Sequence, residues 1–307
     1  MKFCVTSYTI YYILLMLSFR TVEVPMKKGK RIGRGPQLPD KEDVKRHVLR
    51  KSRGLMVIYL FLSSAVLFVL IRSVLRKEFF NAAACLFTLV LFMIPAFVEK
   101  NFKVHLSSFF EGVVLVFIFS AEILGEIDCY YELVPHWDTV LHTVNGFLFA
   151  AFGFALLDMI NRDSHMKFKL APVYLAIVAF CFSMTVGVLW EFYEFAADHV
   201  VVSDMQKDTY IYQFYTVMLD ETQSNTPISV GRIREVVVKM ENGEEIVLPG
   251  YLDVGLADTM KDLMVNFVGA FVFSVIGYFY VKRKGRGRFA EQFIPKLYES
   301  ADGKSKL

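Results

Sequence analysis

The sequence predicts an all-α polytopic membrane protein, a six-helix transmembrane bundle with a small extracytoplasmic cap containing a β-hairpin. Three observations predict it. Apolar runs near 55–71, 79–98, 106–127, 137–157, 171–197 and 256–281 are mostly close to the roughly 20 residues that a bilayer core requires. The chain is 55% hydrophobic and 15% aromatic, with a mean hydropathy of +0.42, more apolar than soluble domains usually are. Its charged residues, 21% of the total, gather between the apolar runs and at the ends.

Residues 1–54 combine a hydrophobic start with a basic stretch. Lys2 precedes an apolar run to Phe19 that resembles a signal peptide or a seventh helix. Leu17-Ser18-Phe19-Arg20 lacks the small residues of a cleavage site. Met26-Lys27-Lys28-Gly29-Lys30-Arg31 looks like an ordinary cytoplasmic start, so the first 25 residues carry no functional weight. Basic residues at 27–53 and 282–288 place both ends on the cytoplasmic side of a cell membrane. No recognition fold accompanies them, which argues against a nucleic-acid partner. The expected partner is the lipid bilayer.

Helices 1–5 fill 55–198, and helix 6 fills 255–282, followed by a basic tail at 283–307. Arg72, Arg76 and Lys77 fall outside in this topology and violate its charge rule. The segment 199–254 is too long for a bare connector. Within it, Val236-Val237-Val238-Lys239 and Glu245-Ile246-Val247-Leu248 flank Asn242-Gly243, a strong hairpin signal. Tyr210 to Leu219 adds a strand or a short helix. The four cysteines, Cys4, Cys85, Cys129 and Cys181, form no CxxC pair and support neither a disulfide framework nor a thiolate metal site.

Three polar clusters interrupt the apolar helices: Asp138/His142/Asn145, Glu191/Glu194/Asp198 and Asp258/Asp262/Asn266. Their spacing of three and four places each cluster on one helix face. Glu122 and Glu126 repeat the pattern. All four pairs or triplets fall in the outer half of the membrane, whereas the inner half offers only Glu111. Eight carboxylates therefore face few cations, since only His142 and Lys261 lie on these faces and Lys261 is expected to point elsewhere. Gathered anions in low dielectric take up protons or bind a cation. Glu122, Asp138, His142, Glu191, Glu194, Asp258 and Asp262 are the candidate metal ligands. An oxygen-rich set with one imidazole suits Mg²⁺, Mn²⁺ or Ca²⁺ better than Zn²⁺ or Fe²⁺.

Plainer roles compete. Asp138 and Asp258 stand near helix starts, where aspartate caps free N–H groups. Glu126 and Asp198 stand at helix ends in reach of water. Asn145 and Asn266 suit interhelical hydrogen bonding. Trp137, Trp190 and Tyr193 suit an aromatic belt, and Gly187, Gly269 and Gly277 suit close helix packing. Glu191 and Glu194 resist such readings, because a helix C-terminus disfavours negative charge. Asp262 resists them too, lying a turn inside its helix.

Trp137-Asp138-Thr139-Val140-Leu141-His142, Trp190-Glu191-Phe192-Tyr193-Glu194 and Asp258-x3-Asp262-x3-Asn266 occur in order within 105–281. Together they resemble the YjdF-like bacterial inner-membrane family and are weakly similar to VanZ-like proteins. The first resemblance implies a prokaryotic polytopic membrane protein. The second implies a link to glycopeptide resistance or the cell envelope. Three functions fit these residues. The leading one is an outward-facing, metal-supported site acting on or binding an envelope lipid or lipid-linked phosphate, with His142, Glu191, Glu194 and Asp262 as catalytic candidates. The others are a cation- or proton-coupled transporter and a non-catalytic membrane adaptor.

Overall fold

The protein is described from a computed structural model covering residues 53–102, 104–162, 169–200, 203–294 and 296–297. The hydrophobic start and most of the basic N-terminal stretch lie outside the described residues. Among the described residues, six helical stretches are long and apolar enough to cross a membrane. They are α1 (Arg53–Leu75), the pair α2 (Phe79–Leu91) and α3 (Ile94–Phe102), α4 (Ser108–Phe119) with its continuation, α6 (Trp137–Arg162), α7 (Pro172–Val200) and α8 (Leu256–Lys282). The short helices α5 (Tyr130–Leu133) and α9 (Arg288–Phe293) complete the helical set.

Local chemistry explains the breaks. Pro95 has no N–H to give Leu91, so the second span bends between α2 and α3. Ser107 caps α4 by accepting the Phe110 N–H at 3.0 Å. From Ser120 to Ile127 the helix widens to π form, and the Asp128 N–H donates to Ile123 O at 2.9 Å. Gly125 in this turn leaves room for the Tyr131 ring, 2.4 Å from where a Cβ would stand. Pro172 opens α7, where a missing N–H costs nothing.

The mutually packed core of the bundle is α6, α7 and α8, the three helices that carry the polar motifs. Their backbones touch. A Cβ on Gly269 would stand 2.0 Å from Thr143 O, and one on Gly146 would stand 2.2 Å from Asn266 O. Ser183 on α7 donates to Gly146 O at 2.7 Å, so all three helices meet at Gly146. This is small-residue packing, in which close approach replaces a hydrophobic driving force between helices. Phe154 and Phe273 fill the space below, both fully buried. Exposed Val57, Phe61 and Phe68 on α1 suit contact with lipid chains.

The acidic loop answers the charge violation at Arg72, whose guanidinium pairs with Asp128 at 3.0 Å. The described part of the tail after α8 packs back on the bundle. Phe293 of α9 packs edge-on to Phe110, Phe147 and Phe273, and the Ser107 hydroxyl donates to Gln292 O.

The cap between α7 and α8 contains three antiparallel strand pairs. β2 (Tyr210–Ile211) pairs with β7 (Tyr251–Leu252), β3 (Gln213–Thr216) with β4 (Ile228–Gly231), and β5 (Val236–Lys239) with β6 (Glu245–Leu248). A fourth pair, β1 (Val104–His105) with β8 (Lys296–Leu297), lies outside the cap. The Tyr210–Leu219 stretch thus forms strand. The hairpin forms with Val236 opposite Leu248 and Lys239 opposite Glu245. Its turn places Gly243 at φ 86°, while Asn242 is not in the left-handed region. The Asp220 carboxylate gathers the Thr222 and Thr226 N–H groups at 3.0 Å each, and the Thr222 and Ser224 hydroxyls. These bonds favour the anion and hold its pKa down at about 2.

Gly269→Leu should lower the melting temperature in detergent sharply, since overpacking costs about 1–3 kcal/mol where backbone cannot move. Gly277→Ala should cost less, because its Cβ meets only the Phe154 ring. Asp220 has a depressed folded pKa, so its stabilising contribution is present above the ordinary carboxylate value and fades as pH falls towards about 2. A carboxyl carbon titration should place its midpoint near 2, and Asp220→Ala should speed proteolysis within 220–226.

Candidate functional site

The α6–α8 contact sets the site. Asp138 and His142 lie one turn apart on α6, with His142 Nε2 3.4 Å from Asp138 Oδ1. Asp262 faces them from α8. One ligand atom from each of Asp138, His142 and Asp262 lies within 4.8 Å of the other two. His142 and Asp262 are buried, and Asp138 is partly exposed. His142 Nε2, Asp138 Oδ2 and Asp262 Oδ1 make no hydrogen bond, though all are sealed from solvent. The 3.4 Å approach is too long for a good hydrogen bond.

The α7 glutamates border this group. Glu191 Oε1 stands 4.0 Å from His142 Nδ1, and its Oε2 is buried without a hydrogen bond. Glu194 accepts the Trp190 indole N–H at 2.8 Å. Trp190 is 3% exposed, so it supports a carboxylate inside the bundle and is no belt residue.

Lys261 does not point elsewhere. Its Nζ is 2.9 Å from Asp258 Oδ1, 3.5 Å from Asp138 Oδ2 and 3.6 Å from Asp262 Oδ1. One turn of helix separates it from Asp258, and the α6–α8 crossing supplies Asp138. Even so, Asp138, Glu191, Glu194, Asp258 and Asp262 outnumber Lys261 and His142. Protonation or a bound cation must balance the rest.

Other expected ligands are engaged differently. Asp258 is no helix cap: its Oδ2 accepts the Lys207 N–H at 2.9 Å and holds the cap base over the site. Capping of α8 falls to Asp253, which accepts the Ala257 N–H at 2.9 Å. Asp198 anchors the same chain return, accepting from Ser203, Met205 and Gln206 at 2.6–2.9 Å. Asn145 lines an apolar cavity with Phe149 and Phe152, off the His142 face. Asn266 wedges between Gly146 and Gly187. Glu122 is buried in the π-helical turn, and the three-residue ligand group does not extend to it.

The site opens to a cavity of about 460 Å³ at the cap end of the bundle. Asp138, Glu194, Asp258 and Lys261 line it together with Trp137, Glu126, Ser203, Asp204, Met205 and Lys207. The cap's strands are not among the lining residues, so the cap contributes its base alone. The Trp137 indole N–H is buried there without a hydrogen bond.

A second polar cluster lies at the opposite end of the bundle, where only Glu111 was expected. Tyr59 donates to Glu111 at 2.9 Å, and Glu99 accepts the Leu106 N–H at 2.8 Å beside His105. Glu99 reads as a loop-edge residue in the sequence, and only the turn after α3 folds it inward.

No curated protein and no solved structure matches the chain. A family described as predicted membrane protein (DUF2238) matches residues 55–283, which run from Leu55 in the first described span to the end of the last and include every residue of the site. The chain belongs to this family of membrane proteins.

Proposed function

We propose that Asp138, His142 and Asp262 hold a divalent cation, and that the site binds or transforms the head group of an envelope lipid or lipid-linked phosphate. The observation that carries this reading is the cluster of three ligand atoms within 4.8 Å of one another, with buried atoms that make no hydrogen bond, beside an open cavity. Ligands bonding an ion at about 2.0–2.5 Å stand roughly 3–5 Å apart, so these separations suit one ion. Two carboxylates and an imidazole match Mn²⁺ or Mg²⁺ well. Of the seven candidate ligands in the sequence, Asp138, His142 and Asp262 form this group, and Glu191 and Glu194 stand beside it. A bound ion supplies Lewis-acid polarisation of a phosphoryl or ester oxygen. Glu194, which lines the cavity, receives a proton there, and Trp190 holds its carboxylate in place. Glu191 steadies the His142 ring from the other side.

The depth of the site supports a head-group substrate. Asp262 lies six residues into α8 and His142 five into α6, about 8–9 Å at 1.5 Å per residue. A lipid phosphate reaches that level without leaving the bilayer. The VanZ-like resemblance of the motifs and the basic termini support an envelope setting with the cavity outside. Transport is less favoured, since Leu115, Phe154 and Phe273 pack the middle of the bundle.

Mn²⁺ should raise the melting temperature of wild type, with about 2.7 kcal/mol of stabilisation at a hundredfold excess over Kd. His142→Ala and Asp262→Asn should lose at least tenfold in Mn²⁺ affinity by calorimetry, and Glu191→Gln should lose less. No heat and no shift with Mn²⁺, Mg²⁺, Ca²⁺ or Zn²⁺ would remove the cation from the reading. A reporter fused within 220–245 should be active on the extracytoplasmic side; activity in the cytoplasm would invert the orientation.

A further inference from the structure

Lys261 occupies the place a cation would take. Its ammonium touches Asp258 and stands within 3.6 Å of both Asp138 Oδ2 and Asp262 Oδ1. The last two residues belong to the ligand group. A divalent ion bonds carboxylate oxygens at about 2.0–2.5 Å. An ammonium kept at its present distance would then lie within about 4 Å of a doubly charged ion, with little water between them to screen the repulsion. The two cannot share these oxygens at full strength.

Lys261 has somewhere to go. Its side chain is 45% exposed and lines the 460 Å³ cavity. The cavity is hostile to anions as it stands. Glu126, Glu132, Asp138, Glu194, Asp204 and Asp258 line it against Lys207 and Lys261. Lys207 also faces Asp204, with Nζ 3.8 Å from its carboxylate. While Lys261 is engaged by three aspartates and Lys207 by Asp204, neither lining lysine is free to attract a phosphate.

We propose that Lys261 is an internal counter-cation that exchanges with the divalent ion, and that its release into the cavity creates the binding site for a phosphate-type anion. This inference rests on the cation reading above and adds an order of events. The ion binds first, neutralises Asp138 and Asp262, and leaves the ammonium held by Asp258 alone, at the cavity lining. Cation and anion binding are then coupled through one side chain, and each strengthens the other. Without the ion, the carboxylates repel the anion and hold the lysine.

The test compares wild type with Lys261→Met and Lys261→Arg, using Mn²⁺ followed by electron paramagnetic resonance. Removing the competing charge should tighten Mn²⁺ binding by tenfold or more in Lys261→Met, and Lys261→Arg should not bind more tightly than wild type. Inorganic phosphate should stabilise wild type against heat only when Mn²⁺ is present, and this effect should vanish in Lys261→Met. A Lys261→Met protein that folds only when Mn²⁺ is supplied would support the exchange equally. Equal or weaker Mn²⁺ binding in Lys261→Met overturns it, with the cation site left standing. Phosphate stabilisation without any divalent ion overturns the ordering. If wild type and both variants bind no divalent ion, the cation reading fails and this inference falls with it.

Discussion

Everything in the site depends on how closely α6 approaches α8. Hydrogen takes the place of a side chain at Gly146 and Gly269, and backbone meets backbone at both points. In a bilayer, helices gain nothing by hiding apolar surface from one another, so contact must come from close packing and polar bonds. The glycines supply the first, and the Ser183 bond to Gly146 O supplies the second. A turn or two towards the cap, the same crossing sets Asp138 and His142 against Asp262. A wider crossing would leave the ligand atoms too far apart for one ion.

That proximity has an electrostatic consequence. Buried carboxylates repel one another strongly when water is scarce, and the fold tolerates them only with a counter-charge near. Lys261 supplies one within α8 itself, and His142 supplies another if it is protonated. The arrangement resembles a loaded site more than structural glue. Asn266 shows what glue looks like here, since it fills the groove made by two glycines and reaches Met184 Sδ. Three other acids at the cap end have structural duties. Asp198, Asp253 and Asp258 bind backbone N–H groups and tie the returning chain to the helix ends.

The two ends of the bundle differ in kind. At the cap end the acids face an open cavity. At the other end Glu99 and Glu111 are enclosed, with Tyr59, Leu106 and His105 as partners. Arg72 likewise finds Asp128 across the loop after α4, which removes the cost of a lone charge among apolar spans. Partnered groups of this kind stabilise a membrane fold, whereas Asp138, His142 and Asp262 keep buried atoms without a hydrogen bond beside a cavity.

The sequence alone determined the spans, the hairpin and which helices carry polar faces. Hydropathy over twenty residues, β-branched runs around Asn242-Gly243 and three-to-four spacing are local properties that need no tertiary contact. It also marked Glu191, Glu194 and Asp262 as residues without an easy structural role. Only the tertiary structure decided which acids meet. Helical spacing says that His142 and Asn145 lie near one face, yet the rotation of α6 sends Asn145 to an apolar cavity and His142 to Asp262. It also turned Lys261 inward, gave Trp190 a carboxylate to hold and left Glu122 outside the ligand group. The reason is physical: a helix period fixes directions about its own axis, whereas a metal-sized cluster depends on the rotation and crossing of several axes, set by contacts as small as a missing Cβ.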